Sequence, residues 1–225
     1  MTTPTRDELL AHTPARFRLG RNLTKADIYL WEQDGIRLIV KDYAPRPWWV
    51  RWILGRAMVG REVRAYQRLA GVPGIPRLIG RIDPFAFAVE FVDGRDLSHF
   101  RPGELSLDFF DRLLLLVDAV HRAGVAQGDL HHRDVVVGPG ACPHLVDFST
   151  AQFRGMAEGS PVGGFFRAAC TSDRRAVLKL KRRHFPSSLS EAERLELGHL
   201  PAWYRAGKLL RHLLHSEAAK RKPHR

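Results

Sequence analysis

The apolar positions change period along the chain, and the change divides it. From Arg16 to Tyr43 they run strand-like, through RFRLG, DIYLWE and IRLIVKDY, with the last two joined across Gln33-Asp34-Gly35, a strong hairpin signal. This predicts three antiparallel strands. After APRP the spacing becomes three and four, through Trp49, Trp52, Ile53, Met58, Val59, Val63, Tyr66, Leu69 and Ala70, which predicts helix; Gly55 and Gly60 predict a break into two pieces that end at Gly71. GIPRLIGRID and FAFAVEFVDG read as two further strands, with turns at Pro73-Gly74 and Asp83-Pro84. Downstream, Asp108 to Ala123 is a long helix closed by Gly124, and DVVVG pairs with HLVDF across PGACP. The rest is helical, from Asp173 (as N-cap) to Arg183 and from Ser190 to His215, with a break at Gly198 to Pro201. A linker near Asp93-Gly94 then separates a sheet-rich part from a helix-rich part, and the cleft between them is where a ligand is expected.

Composition adjusts this outline. The chain has 225 residues, 44% of them apolar, enough for one large domain or two small lobes with a substantial core. The longest aliphatic run, Leu113 to Val117, is far below the roughly 20 residues of a spanning helix, and MTTPTRDELLAH has no secretory-signal pattern. Cys142 and Cys170 are the only cysteines, which excludes a disulfide framework and fits a reducing compartment. A net charge of +12 attracts polyanions, but no aromatic stacking platform or recognition motif points to nucleic acid. Part of that charge lies in the aperiodic tail SEAAKRKPHR, expected to be a disordered extension.

Carboxylates and one lysine supply candidate chemistry. Lys41 ends an otherwise apolar strand, and Glu62, 21 residues on in GREVRAYQRL, lies on the following helix where it could pair with it. Asp134 and Asp147 are 13 residues apart, at the two ends of the expected strand pair, and suit a hard cation that takes oxygen ligands. Asp129, in QGDLHHRDVVVG, could accept or orient a hydroxyl proton. These are the parts that phosphoryl transfer asks of a protein: cations on phosphate, carboxylates on metal, and a carboxylate at the acceptor. Each has a plain structural reading as well. Lys41 could be a solvated edge charge, Glu62 a surface partner of arginine, and Asp129 and Asp147 turn caps. A transition-metal site at His131, His132 and Asp134 is a further possibility, although adjacent histidines seldom face the same way.

In their order and spacing these segments resemble the eukaryotic-type kinase superfamily, and within it the small atypical kinases of the RIO and lipopolysaccharide (Kdo sugar) kinase kind. VKDY resembles the nucleotide lysine, REVRAYQRL the helix glutamate, VEFVDG the hinge, GDLHHRD the catalytic loop, VDFS the metal-binding strand end, and TKADIYL the RIO phosphate loop. The likeness covers roughly residues 16 to 150. It implies an α+β, two-lobed kinase-like fold: a lead-in (1–15), an N-lobe of five antiparallel strands and one main helix (16–93), a reduced, mostly helical C-lobe (94–215) and the tail (216–225). It implies ATP with Mg2+ or Mn2+ as cofactors. Lys41, Thr24, Lys25 and the backbone of Glu90, Phe91 and Val92 would hold nucleotide, Glu62 would fix Lys41, Asp129 would orient the acceptor hydroxyl, and Asp134 and Asp147 would bind metal. His131 stands where aminoglycoside and sugar kinases carry a histidine, within reach of phosphate or acceptor.

The departures shape the expected function. The phosphate loop has one glycine, Gly20, and no GxGxxG; Gln127-Gly128 replaces the usual His-Arg; Asp134 stands where Asn is usual; DFS replaces DFG; and no APE segment follows. Control by activation-loop phosphorylation is therefore not expected. The acceptor implied by the RIO likeness is Ser or Thr of a protein; the short C-lobe, His131 and a Trp/Arg helix point instead to a sugar on an anionic glycolipid. A pseudokinase that only binds nucleotide or a partner is the third reading. In PRPWWVRWILGR, Trp48, Trp49 and Trp52 are expected to pack the helix on the sheet; the alternative is that they and the nearby Arg46, Arg51 and Arg56 meet an anionic membrane, placing a cytoplasmic protein at the inner membrane face. DRRAVLKLKRRHFP reads first as a solvated basic face and second as a polyanion surface.

Overall fold

The computed structural model describes residues 3–11, 15–18, 25–33, 35–155 and 161–198. Alternating apolar positions give a five-stranded antiparallel sheet in the order β1-β2-β3-β5-β4. Its strands are β1 (Ala15–Arg18), β2 (Asp27–Gln33), β3 (Ile36–Asp42), β4 (Leu78–Asp83) and β5 (Ala86–Glu90). The hairpin expected at Gly35 joins β2 to β3 in unbroken register from Asp27↔Asp42 to Gln33↔Ile36. β3 is central, so both its faces are covered. Leu38 and Val40 point to one face, where they pack with Trp31, Ala88 and Leu9 of helix α1 (Arg6–Ala11). Arg6 of α1 clamps Asp42 and Asp83, at the ends of β3 and β4, at 2.5 Å each. Lys41 alternates to the other face.

That second face is crossed by a helical segment that runs without interruption from α2 (Trp48–Val50) through a π-turn (Arg51–Gly55) into α3 (Arg56–Arg68). The break expected at Gly55 and Gly60 is absent. The π-turn, with its i→i+5 bonding, absorbs one additional residue, so the buried positions step by five from Val50 to Gly55 and then by four to Val59. A Cβ on Gly55 would meet the Tyr43 Cβ at 3.0 Å, so the glycine serves close approach to the sheet rather than helix termination.

The downstream half is built on α4 (Leu107–Arg122), capped by the Ser106 hydroxyl and closed by Gly124 at φ 80°. Short strands β6 (Arg95–Asp96), β8 (Val135–Gly138) and β9 (Cys142–Leu145) form a second sheet, and β7 (Val125–Ala126) pairs with β10 (Gln152–Phe153). α5 (Pro161–His184) and α6 (Glu191–Gly198) complete it. The helix expected from Asp173 therefore begins earlier, and Asp173 lies in its middle, 1% exposed, not at an N-cap. The expected continuation to His215 and the basic tail lie outside the described residues. One apolar cluster unites the halves, from Phe87 and Tyr43 at the sheet through Val59 and Tyr66 of α3 to Phe109, Leu113, Leu145 and Phe148. The basic face expected on α5 is partly structural: Arg174 bridges Asp118 of α4 and Glu196 of α6, Lys181 bridges Asp111 and Glu193, and Lys179, Arg182 and Arg183 are exposed.

Candidate active site

Three of the expected residues meet beneath the sheet. Lys41 Nζ donates to Glu62 Oε2 at 2.5 Å and to Asp147 Oδ1 at 3.0 Å, so one ammonium joins β3, α3 and the segment after β9. Lys41 is 7% exposed and Glu62 fully buried, so neither is the solvated surface charge of the plain reading. Burial opposes the lysine's charge, but Asp147 and Glu62 outweigh it and hold its pKa well above the ordinary value. Burial likewise opposes ionisation of Asp147, yet the charge and hydrogen bond of Lys41, with the Ser149 groups, hold it well below the usual carboxylate range. Glu62 is pushed up to about 7 because burial and the Asp147 charge outweigh Lys41.

Asp134 and Asp147 flank the β8-β9 hairpin, whose register runs from Val135↔Leu145 to Gly138↔Cys142. The Asp134 carbonyl accepts the Val146 N–H at 2.9 Å, which brings the two acidic positions to one end of the hairpin. Asp134 Oδ2 accepts from the His131 N–H at 3.0 Å and faces His131 Nδ1 at 2.8 Å. Burial, reinforced by the Asp147 charge, raises the Asp134 carboxyl to about 6 against those hydrogen bonds. The His131 imidazole is raised in turn by its hydrogen bond to Asp134. Asp129 is exposed in the same loop. Among the described residues no group of three His, Cys, Asp or Glu forms a metal cage. The donor set fits a hard cation that takes one or two carboxylates and completes its shell from substrate and water. His132 turns elsewhere, to a cavity of about 90 Å³ shared with Ser98, Leu180 and His184.

Residues that sequence reasoning passed over hold this loop in place. Asp173 of α5 accepts from the Gln127 N–H at 2.7 Å and the Gly128 N–H at 2.8 Å, and its Oδ2 lies 3.1 Å from His121 Nε2. The Gln127 side-chain amide donates to the carbonyls of Val146 and Asp147, both at 2.8 Å, and the Gln127 carbonyl accepts the Thr150 hydroxyl at 2.8 Å. These bonds grip the peptide groups on both sides of Asp147, whose φ of 67° lies in a region that costs a non-glycine residue about 1 to 3 kcal/mol. Gly128, at φ 87°, lies where a Cβ would be 3.0 Å from the Thr150 carbonyl, so the catalytic-loop candidate and the Asp147 turn approach closely only with glycine there.

No protein-family model matches the chain, and no curated protein matches it in sequence. Among solved structures it superposes on the Rio2 kinase from Chaetomium thermophilum with a TM-score of 0.60 at 12% identity, over 85% of this chain. The fold is protein-kinase-like. The chain spans 65% of the length of that kinase.

Within the kinase-like fold the remaining expected residues are spread more widely. Thr24 and Gly20 lie outside the described residues. Lys25 is exposed just before β2, and its carbonyl accepts from Arg46 Nε at 2.9 Å. At the end of β5, Glu90 N–H is bonded to the Arg77 carbonyl at 2.9 Å and Phe91 N–H to the Arg37 carbonyl at 3.3 Å. Trp48, Trp49 and Trp52 do not pack on the sheet as expected: they are 71%, 49% and 49% exposed, and among the described residues only Trp52 of the three has a ring partner, Phe85, edge-on at 5.3 Å.

Proposed function

We propose that this protein is an ATP-dependent phosphotransferase that moves the γ-phosphoryl group to a hydroxyl, acting as an atypical RIO-like serine/threonine protein kinase. The observation that carries the reading is the buried Lys41 held between Glu62 and Asp147, with Asp134 and Asp129 on the adjoining hairpin and loop. Bound nucleotide would supply the transferable phosphoryl group, and Mg2+ or Mn2+ would neutralise charge developing on it. Asp134 and Asp147 would hold the metal. Lys41 would turn from Asp147 toward the α- and β-phosphates while Glu62 keeps its ammonium extended. The Glu90 carbonyl and Val92 amide would meet the purine edge, since the Phe91 N–H is taken by Arg37. Asp129 would orient the acceptor hydroxyl and accept its proton, and His131 would steady Asp134 and face the acceptor or phosphate. The setting would be cytoplasmic; among the described residues no helix is long and apolar enough to cross a membrane.

A second reading, a sugar on a lipid as acceptor, is favoured by the exposed tryptophans. Labelled ATP offered with a native cell extract separates the two: label in protein supports the first, label only in a solvent-extractable glycolipid the second. ATP turnover with magnesium and with manganese, beside Asp129→Asn and Asp147→Asn, tests the enzyme itself. Each substitution is expected to lower turnover by about 10²- to 10⁴-fold. A folded wild type that binds nucleotide without turnover would make the protein a pseudokinase, and one that neither binds nor hydrolyses ATP would end the enzyme reading.

A further inference from the structure

Among the described residues, half of the large apolar side chains left in solvent fall within six positions: Trp48, Trp49, Trp52 and Ile53, the last 67% exposed. The others, Leu107, Leu115, Phe165 and Leu195, are scattered. The core does not claim this cluster, because the same segment buries Val50, Gly55 and Val59 on its opposite side. Scattered exposed apolar residues need no explanation, whereas a contiguous exposed patch marks an interaction surface.

Charge identifies the partner. Between Asp42 and Glu62 there is no acidic residue, but there are four arginines. Arg46 is committed to Asp27 and Arg61 to the Ser149 carbonyl. Arg56, exposed, lies 5.1 Å over the Trp52 ring, and Arg51, half-buried and bonded to the Ala44 carbonyl at 3.4 Å, lies 5.6 Å over the Phe85 ring, so both border the aromatic patch and Arg56 does so from solvent. The carboxylate beside Phe85, Asp83, is paired with Arg6, so indole rings with an apolar body and polar N–H, fringed by guanidinium groups, suit the boundary between acyl chains and anionic headgroups. The rings protrude from one helical face, and a fluid bilayer accommodates such a shape without a matching pocket.

We propose that Trp48, Trp49, Trp52 and Ile53, bordered by Arg51 and Arg56, dock the protein on an anionic phospholipid surface. Glu62 follows Trp52 by ten residues on the same helical rod, about 15 Å at the α-helical rise, so docking holds the Lys41 site close to the bilayer. The proposal stands apart from the phosphotransfer reading, because lipid binding is measured without nucleotide.

The experiment is co-sedimentation of the 225-residue chain with phosphatidylcholine vesicles and with vesicles that also contain phosphatidylglycerol. The comparison is a variant carrying Trp48→Ser, Trp49→Ser and Ile53→Ser. These side chains are exposed, so the variant is expected to keep the wild-type circular dichroism and melting temperature. Wild type should bind the anionic vesicles with a blue shift of tryptophan emission, and the variant should bind about tenfold more weakly or less. Arg56→Glu should reduce the preference for anionic over neutral vesicles. Wild type that stays in the supernatant with both vesicles would overturn the proposal, as would a variant that binds as tightly as wild type. A wild-type dimer in the ultracentrifuge that the variant loses, without lipid binding, would assign the face to a second copy of the chain and overturn it equally.

Discussion

Two clusters of buried polar groups meet at the β8-β9 hairpin, and they work in opposite ways. In Lys41, Glu62 and Asp147 the side chains act on one another: one ammonium is shared by two carboxylates from distant segments. In His121, Gln127 and Asp173 the side chains act mainly on backbone, satisfying the N–H groups of 127 and 128 and the carbonyls of 146 and 147. A buried ion pair adds little net stability, because desolvation offsets most of its attraction. Buried backbone groups deprived of their partners cost the full desolvation penalty. As an intact unit the ionic cluster therefore adds little to the fold, and on the proposed reading it serves chemistry, whereas the hydrogen-bonded cluster holds the loop in place.

The strongest way to break that contrast is Lys41→Met. It should lower ATP turnover by about 10²- to 10³-fold and, because it strands Glu62 and Asp147, cost about 3 to 5 kcal/mol in urea unfolding, most of which Glu62→Gln added to it should recover by removing the buried charge. A variant that keeps its turnover removes Lys41 from the site. Next, Asp173→Ala leaves two buried N–H groups without an acceptor and should cost about 2 to 5 kcal/mol in urea unfolding; Asp173→Asn, which keeps one acceptor oxygen, should cost less. Wild-type stability in the alanine variant would mean that α5 does not anchor the loop.

Gln127→Leu is the finer test, since this amide links the two clusters. It should destabilise by about 1 to 3 kcal/mol and weaken manganese binding measured by calorimetry, because the turn at Asp147 loses its grip. Unchanged metal affinity would confine Gln127 to a purely structural role. The smallest effect is a control remote from both clusters. The His184 ring lies tilted against Phe110 at 5.0 Å, and burial, with the Arg183 charge, lowers its pKa below the ordinary 6.5. The unfolded chain then takes up this proton at higher pH than the folded one, so the stability contribution is present above about pH 6.5 and is lost as pH falls below it. His184→Phe should flatten the melting temperature against pH between about 7 and 5.

The contrast also explains what was legible in the sequence. Lys41, Asp134 and Asp147 announce themselves because an ionisable residue at the end of an apolar run is conspicuous, Glu62 is legible only from its place on the helix after Lys41, and strand alternation predicts the five-stranded sheet and the β8-β9 hairpin. Gly163 and Gly164 blur the helical period ahead of Asp173, so that in sequence it resembles an N-cap. Its signal was present: it is the sole carboxylate in the 24 residues of α5, on one face with Phe166, Ala169 and Val177. Gln127 registered only as a departure from a pattern, since an amide that serves backbone carbonyls has no signature until the fold brings those carbonyls near. The tryptophans were assigned to the core on hydrophobicity alone, which does not tell the inner face of a helix from the outer.

The π-turn has a further consequence for that helix. It sets the angular phase between two surfaces on one rod, the tryptophan face before it and the Glu62 face after it. Deleting the absorbed residue, such as Leu54, would restore α-helical bonding and leave the two faces in phase, whereas winding all of its residues as an unbroken α-helix would swing one face relative to the other by about 100°. Lys41 could keep its glutamate, but the tryptophans would turn to a different side of the protein. The turn acts as a key cut into the shaft, and the aim of the outer surface depends on its length as much as on the residues displayed there.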